Sequence, residues 1–412
     1  MRDVAGFFCP LHKFDLNFTK STMKNANKVS RSFQHMILLC GCLLIYYSVS
    51  ARQHKPTESG YIAQKTQGID SDYVLIFNSY SESAPWCRSL VDSTVMDLIK
   101  LSPQTMTVTQ NLNSGLLRDE KALAQLRQQV DVSYHDKPRM IIYIGSTSWP
   151  FLHETIEKKW GKVPSIIFSD IDYTGPIANL LRKTPIAPAL RIPYDKIVKE
   201  YEGALSVVYM PIYLRQSLAL MHQLTPPMTE LCFISDTRWI SAQMRADMAA
   251  ITKTDFPELK VRYLISADMS TLDLLDSLQH YGQETGVLFF SWLKQSQVGD
   301  SFVNDSHFRI IISKSARQPL FVLNDNEVNT DSDVLGGYFP TRAAVSHHVR
   351  LALEKTLAGQ PGSFQTVEPA QPVIDYLTLI RKGISPDLLP SNTHIYWKPD
   401  NFFHQYRYLL GG

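Results

Sequence analysis

Residues 73–86 read YVLIFNSYSESAPW. An apolar run from Tyr73 to Asn78 stops in a polar, aromatic loop, and Pro85 follows. A continuous apolar run of this length suits a strand buried on both faces, as in a parallel sheet. Proline fits the first turn of a helix, where a missing N–H costs nothing. Val91, Val95 and Leu98 then recur at helical spacing and predict a face that covers the sheet. In open α/β sheets small ligands bind beyond the carboxyl ends of the strands. The loop at Ser79 and Tyr80 is therefore the first candidate wall of a site.

The same unit recurs along the chain. Strands are predicted at 106–109, 140–144 and 165–168, with helices through Leu116, Leu123, Leu126 and Val130 and from Pro150 to about Trp160. A second block repeats the architecture without repeating the sequence. Its strands are expected at 204–209, 230–234, 260–265, 286–290 and 319–323, with helices carrying Leu214 and Leu218, Met244 and Met248, and Leu272 and Leu275. This alternation predicts parallel sheets with helices on both faces. After an extended stretch at 334–339, residues 342–357 make an amphipathic helix closed by Gly359, and 372–376 one more strand. Residues 386–412 are rich in proline and aromatics without a period, and are expected to run along the surface or form a stalk.

The 412 residues suggest two or three domains, and 44% hydrophobic with 19% charged residues is a globular composition. A net charge of +2 gives no electrostatic case for nucleic acid. At the N-terminus Lys20, Lys24, Lys28 and Arg31 precede the apolar run 36–47, and Ser48 to Ala51 are small. That is the order of a secretory signal peptide, with Met23 a candidate start. The run is short of the ~20 residues of a spanning helix, and an uncleaved membrane anchor is the rival reading. Either reading places the rest in the periplasm or on the extracytoplasmic face of a bacterial inner membrane. Cys87 and Cys232 fall in different predicted units and read as two buried thiols.

The strand ends supply Ser79, Tyr80, Trp86, Ser146, Thr147, Ser169, Asp170, Asp236, Arg238, Trp239, Ser291, Trp292 and Asn324 as candidate ligand-binding residues. Aromatic walls with small hydroxyl groups suit a small polar or aromatic ligand. Each residue also has a plain structural reading, since a Ser or Asp after a strand often caps a helix and a Trp often packs in the core. No G-x-G-x-x-G or phosphate-cradling loop follows the first strand, so no cofactor is expected. No H-E-x-x-H occurs, and the adjacent His347 and His348 do not share a helix face, so no metal is expected. One motif argues for catalysis. Asp170-Ile171-Asp172-Tyr173-Thr174 is D-x-D-x-T after a strand, and it resembles the first motif of haloacid-dehalogenase-type phosphatases. That resemblance implies Asp170 as nucleophile, Asp172 as acid/base and a Mg²⁺ ion. Against it, three strand–helix steps precede the motif, and no matching lysine or paired-aspartate motif follows.

Three stretches resemble another family, the type I periplasmic-binding-protein-like sensor domains of bacterial membrane sensor histidine kinases. More distantly the chain resembles the substrate-binding proteins of ABC transporters. The stretches are Val74 to Tyr80 with Trp86, then 203–224 with 230–236, then 373–410 with its Gly383-Ile384 turn and closing Phe402, Tyr406 and Leu409. The resemblance implies two Rossmann-like lobes joined by a hinge that close on a ligand. The expected division is an N-terminal extension and signal or anchor at 1–51, a linker at 52–71, lobe 1 at 72–200 and lobe 2 at 201–335. A return segment to lobe 1 at 336–385 and a surface segment at 386–412 complete it. Asp170 and Asp172 are more acidic than the family's usual residues there, which leaves the ligand open. The sequence carries no transmitter region, so a truncated sensor and a stand-alone ABC-type binding protein are both expected readings, and no enzyme activity is expected. Expected partners are a small molecule, the membrane through the N-terminal segment if it is retained, and a second copy of the chain as a homodimer.

Overall fold

The computed structural model describes residues 72–81, 84–225, 227–295, 302–303 and 308–399. The expected signal or anchor, the linker and the last residues of the C-terminal segment lie outside these. Among the described residues no helix is long and apolar enough to cross a membrane.

Two sheets organise the chain. The first runs Phe364–Thr366, Leu205–Tyr209, Ser165–Ser169, Met140–Ile144, Tyr73–Asn78, Met106–Asn111, with every pairing parallel. Tyr73–Asn78 is buried along its whole length, because sheet neighbours flank it and helices cover both faces. The helix Pro85–Leu101 starts at the proline, as its sequence predicts. The second sheet runs His394–Tyr396, Ala370–Asp375, Val334–Pro340, Leu320–Val322, Thr285–Phe289, Glu230–Ser235, Lys260–Ile265. Only the Val334–Pro340 to Ala370–Asp375 pairing is antiparallel. The α/β class and the two-lobed arrangement of parallel sheets match the expectation from sequence. Cys87 and Cys232 are both free and buried.

The path between lobes differs from the expected boundaries. Leu205–Tyr209 was expected to open the second lobe, but it pairs with Ser165–Ser169 in the first sheet. The chain therefore crosses after Tyr209. It crosses back after Val334–Pro340, and the helix Arg342–Leu357 packs on Pro85–Leu101 in the first lobe. Phe364–Thr366 adds to the first sheet before Ala370–Asp375 returns to the second. The segment after 386 is not only a surface tail, since His394–Tyr396 is a parallel edge strand. Both edge strands are half-buried and very short, so neither gives the apolar run by which a buried strand is read.

One loop in the first lobe sets the others. Gly145 follows Met140–Ile144 with φ +87°, a conformation in which side chains are strained. A Cβ there would come within 2.8 Å of Ser79 Oγ. That oxygen accepts the N–H groups of Thr147 (3.3 Å) and Ser148 (2.9 Å) at the start of the helix Ser148–Trp160. Gly145→Ala is expected to lower stability by about 1–3 kcal/mol. Urea unfolding checks this, with a lower midpoint and an unchanged slope. An unchanged midpoint would refute the close approach.

Candidate functional site

The carboxyl ends of strands from both sheets converge on a cavity of about 200 Å³. The first lobe contributes Tyr80 after Tyr73–Asn78, Asp170 after Ser165–Ser169, and Met210 after Leu205–Tyr209. The second contributes Arg238, the loop from Phe290 to Leu293 and the loop from Leu323 to Glu327, and Arg342 stands where the chain crosses back to the first. The first turns of Pro85–Leu101 add Trp86 and Ser89. This is the position where an open parallel sheet holds its ligand, because loops diverge there and leave a crevice.

Arg238 sits at the lobe boundary. Its Nε donates to Asp236 Oδ2 at 2.8 Å, and both side chains are almost wholly buried. Asp236 Oδ1 also accepts the Arg238 backbone N–H (2.9 Å) and the Ser241 hydroxyl (2.6 Å). A buried carboxylate satisfied in this way fixes the guanidinium. The other side of Arg238 lies 4.6 Å from the ring centre of Tyr80 in the opposite lobe, a cation–π contact. Tyr80 in turn shares a 3.1 Å hydrogen bond with Ser146. Elsewhere along the boundary, Ser89 donates to Asn326 Oδ1 (3.2 Å) and Trp239 Nε1 donates to the Thr184 carbonyl (3.0 Å).

Asp170 has a different environment. Its Oδ1 is buried without a protein hydrogen-bond partner. Burial pushes its pKa up to about 6, partly opposed by its own backbone N–H and by Arg238. Asp325 Oδ2 is well satisfied by the Arg342 backbone N–H (2.5 Å) and the Tyr396 hydroxyl (2.7 Å), while its Oδ1 is unpartnered. Asn324 Oδ1 is buried and unpartnered too.

Of the residues singled out from sequence, Tyr80, Trp86, Asp170, Arg238, Ser291, Trp292 and Asn324 line the cavity. The others stand behind the wall. Ser79 caps a helix, Ser146 bonds Tyr80, and Thr147 shares a 2.7 Å hydrogen bond with Ser114. Ser169 accepts the Ile171 N–H at 3.2 Å, Asp236 holds Arg238, and Trp239 is buried against the first lobe. Asp172 is exposed and does not line the cavity, so the two carboxylates of D-x-D do not share one site. Asp325, Glu327 and Arg342 were missed. The polar stretch Asn324-Asp325-Asn326-Glu327 after a predicted strand was the available signal. Arg342 gave none, because it looks like an ordinary first-turn residue of a surface helix.

Two outcomes follow. Asp236→Ala leaves Arg238 buried without its counter-charge and is expected to cost about 3–5 kcal/mol in urea unfolding. Tyr80→Phe removes one hydrogen bond and is expected to cost about 1 kcal/mol. Equal costs would mean that the ion pair does not anchor the boundary. For Asp170, the folded-state pKa of about 6 lies above the ordinary 3.8. The folded state then binds the proton more readily, so stability rises as pH falls between those values. Asp170→Asn should therefore be more stable than wild type at pH 7, on the order of 2–3 kcal/mol, with the gap closing near pH 4. A pH-independent difference would contradict the buried, unpaired carboxylate.

No protein-family model matches the chain. No curated protein matches it. Solved structures do. A conserved domain protein from Vibrio cholerae O1 biovar El Tor shares 9% identity at a TM-score of 0.50, covering 79% of this chain and 100% of that one. An ABC domain in complex with L-Trp from Streptococcus pneumoniae shares 11% identity at a TM-score of 0.49, covering 79% and 99%. A ligand-free, open substrate-binding protein with adhesive properties from Clostridium difficile shares 11% identity at 0.45, covering 80% and 100%. The structural neighbours are type I periplasmic-binding-protein-like substrate-binding proteins of ABC transporters and regulators of the LacI family.

Proposed function

We propose that this chain is an extracytoplasmic module that binds a small molecule between its two lobes. The observation that carries the reading is the cavity itself. Strand ends of both sheets line it, aromatic side chains wall it, and buried oxygens of Asp170, Asn324 and Asp325 lack partners on it. Buried polar atoms are normally hydrogen-bonded, so unpartnered ones around a cavity suit a ligand that completes them. The contacts of Tyr80 with Arg238 and of Ser89 with Asn326 join the lobes beside that cavity. A ligand held by both lobes would favour this closed arrangement, and the shift is limited to its affinity difference between open and closed forms.

Within that class we favour the sensing part of a two-component histidine kinase over a stand-alone binding protein. The support is the basic-then-apolar N-terminal pattern and the resemblance of 373–410 to the exit segment of such sensors. In that role closure would move the C-terminal segment, whose strand His394–Tyr396 is bonded to the second sheet. Kinase activity itself would belong to a transmitter region. The gene decides between the two: an in-frame apolar segment and transmitter after codon 412 is expected for a sensor.

A thermal-shift screen with small metabolites tests the binding reading. Hits are expected to raise the melting temperature of wild type. Trp292→Ala and Tyr80→Ala should weaken them at least about tenfold, since aromatic walls dominate small-site energetics. Thr147→Ala, behind the wall, should not. Hits that ignore the cavity variants would place binding elsewhere and reject the reading.

A further inference from the structure

The partners missing from the cavity wall are of one kind. Among the described residues that line it, every buried side-chain atom without a hydrogen-bond partner is an oxygen: Asp170 Oδ1, Asn324 Oδ1 and Asp325 Oδ1. Asn324 can turn its amide and offer a donor, but a carboxylate oxygen such as Asp170 Oδ1 or Asp325 Oδ1 accepts. A ligand that completes this wall must bring N–H or O–H donors.

The charges narrow the class. Arg238 is committed to Asp236 at 2.8 Å, and Arg342 lies 3.7 Å from Asp325. Asp170 has no cation at ion-pair distance, and the nearest opposing charge acting on it is Arg238. An anionic ligand would meet the half-buried carboxylate of Asp170, which no ion pair neutralises, and like charges repel there more strongly than in water. A cation would relieve it. The cavity that Asp170 lines is also walled by Tyr80, Trp86, Phe289, Phe290, Trp292 and Phe339, and aromatic rings attract cations and pack flat apolar bodies.

We infer that the cavity takes a small organic cation, an ammonium on a flat apolar or aromatic body, with Asp170 as its counter-charge. This rests on the binding reading above and names the chemical class of its ligand. Binding then requires ionised Asp170. The titratable and charged groups that act on that carboxyl are Arg238 from the second lobe, and Tyr80, Cys87, Tyr173, Tyr194 and Tyr209 from the first. Burial keeps all of these phenols and the thiol protonated at neutral pH, so they add no competing charge change.

The test uses three probes of one shape: phenethylamine, 2-phenylethanol and 3-phenylpropionate, titrated calorimetrically into the protein from pH 5 to pH 8. Phenethylamine is expected to bind at least about tenfold tighter than either other probe at pH 7.5. Its affinity should fall about tenfold per pH unit below about 6, as Asp170 takes up its proton. Asp170→Asn should erase that preference and the pH dependence. The wild-type pH profile stands without the variant, should the variant fold poorly. Tighter binding of 2-phenylethanol or 3-phenylpropionate overturns the inference and leaves the binding cavity standing. Absence of binding by all three also overturns it, and the metabolite screen then decides the broader reading separately.

Discussion

A guanidinium buried where two sheets meet is the constraint on which the site depends. Arg238 cannot lie there without a counter-charge, because an unpaired buried ion costs several kcal/mol. Asp236 provides that charge from the same loop and is itself held by Ser241 and by backbone. Once fixed, the cation presents its free face across the boundary to Tyr80. The contact links the loop after Tyr73–Asn78 in one lobe with the loop after Glu230–Ser235 in the other.

The same arrangement explains why Asp170 is unusual. It directly follows a strand buried along its whole length and so stands, half-buried, on the cavity wall. Arg238 is close enough to act on it, yet is already committed to Asp236. The cavity thus holds one satisfied charge pair and one carboxylate whose partner the protein does not supply. Buried polar groups in this state are expected at functional places rather than in a relaxed core.

Much of the fold was legible from residues. Apolar runs such as 140–144 and 285–289 are buried strands because nothing but a two-sided apolar environment accommodates them. What was not legible was which sheet a strand joins. Leu205–Tyr209 has the same apolar character whichever lobe it enters, and hydrogen bonding to Ser165–Ser169 decides the matter through contacts distant in sequence. The short edge strands Phe364–Thr366 and His394–Tyr396 escaped for want of length. At the site, Tyr80, Trp86 and Trp292 were legible as large side chains just past strand ends. Ser79 and Asp236 have the same address but spend their polar atoms on backbone and on Arg238, and spacing alone does not separate the two uses. Asp325 was hidden because its value lies in one oxygen left over after Arg342 and Tyr396 take the other.

The central claim is that two lobes hold a small molecule between them and are drawn together by it. The most direct test is the distance between spin labels, one in each lobe. Lys121→Cys in the helix Glu120–Ser133 and Gln279→Cys in the helix Thr271–His280 supply exposed sites. The account predicts a broad, longer distribution in the free protein that contracts and narrows when the tightest compound of the metabolite screen is added. A distribution identical with and without that compound would contradict it.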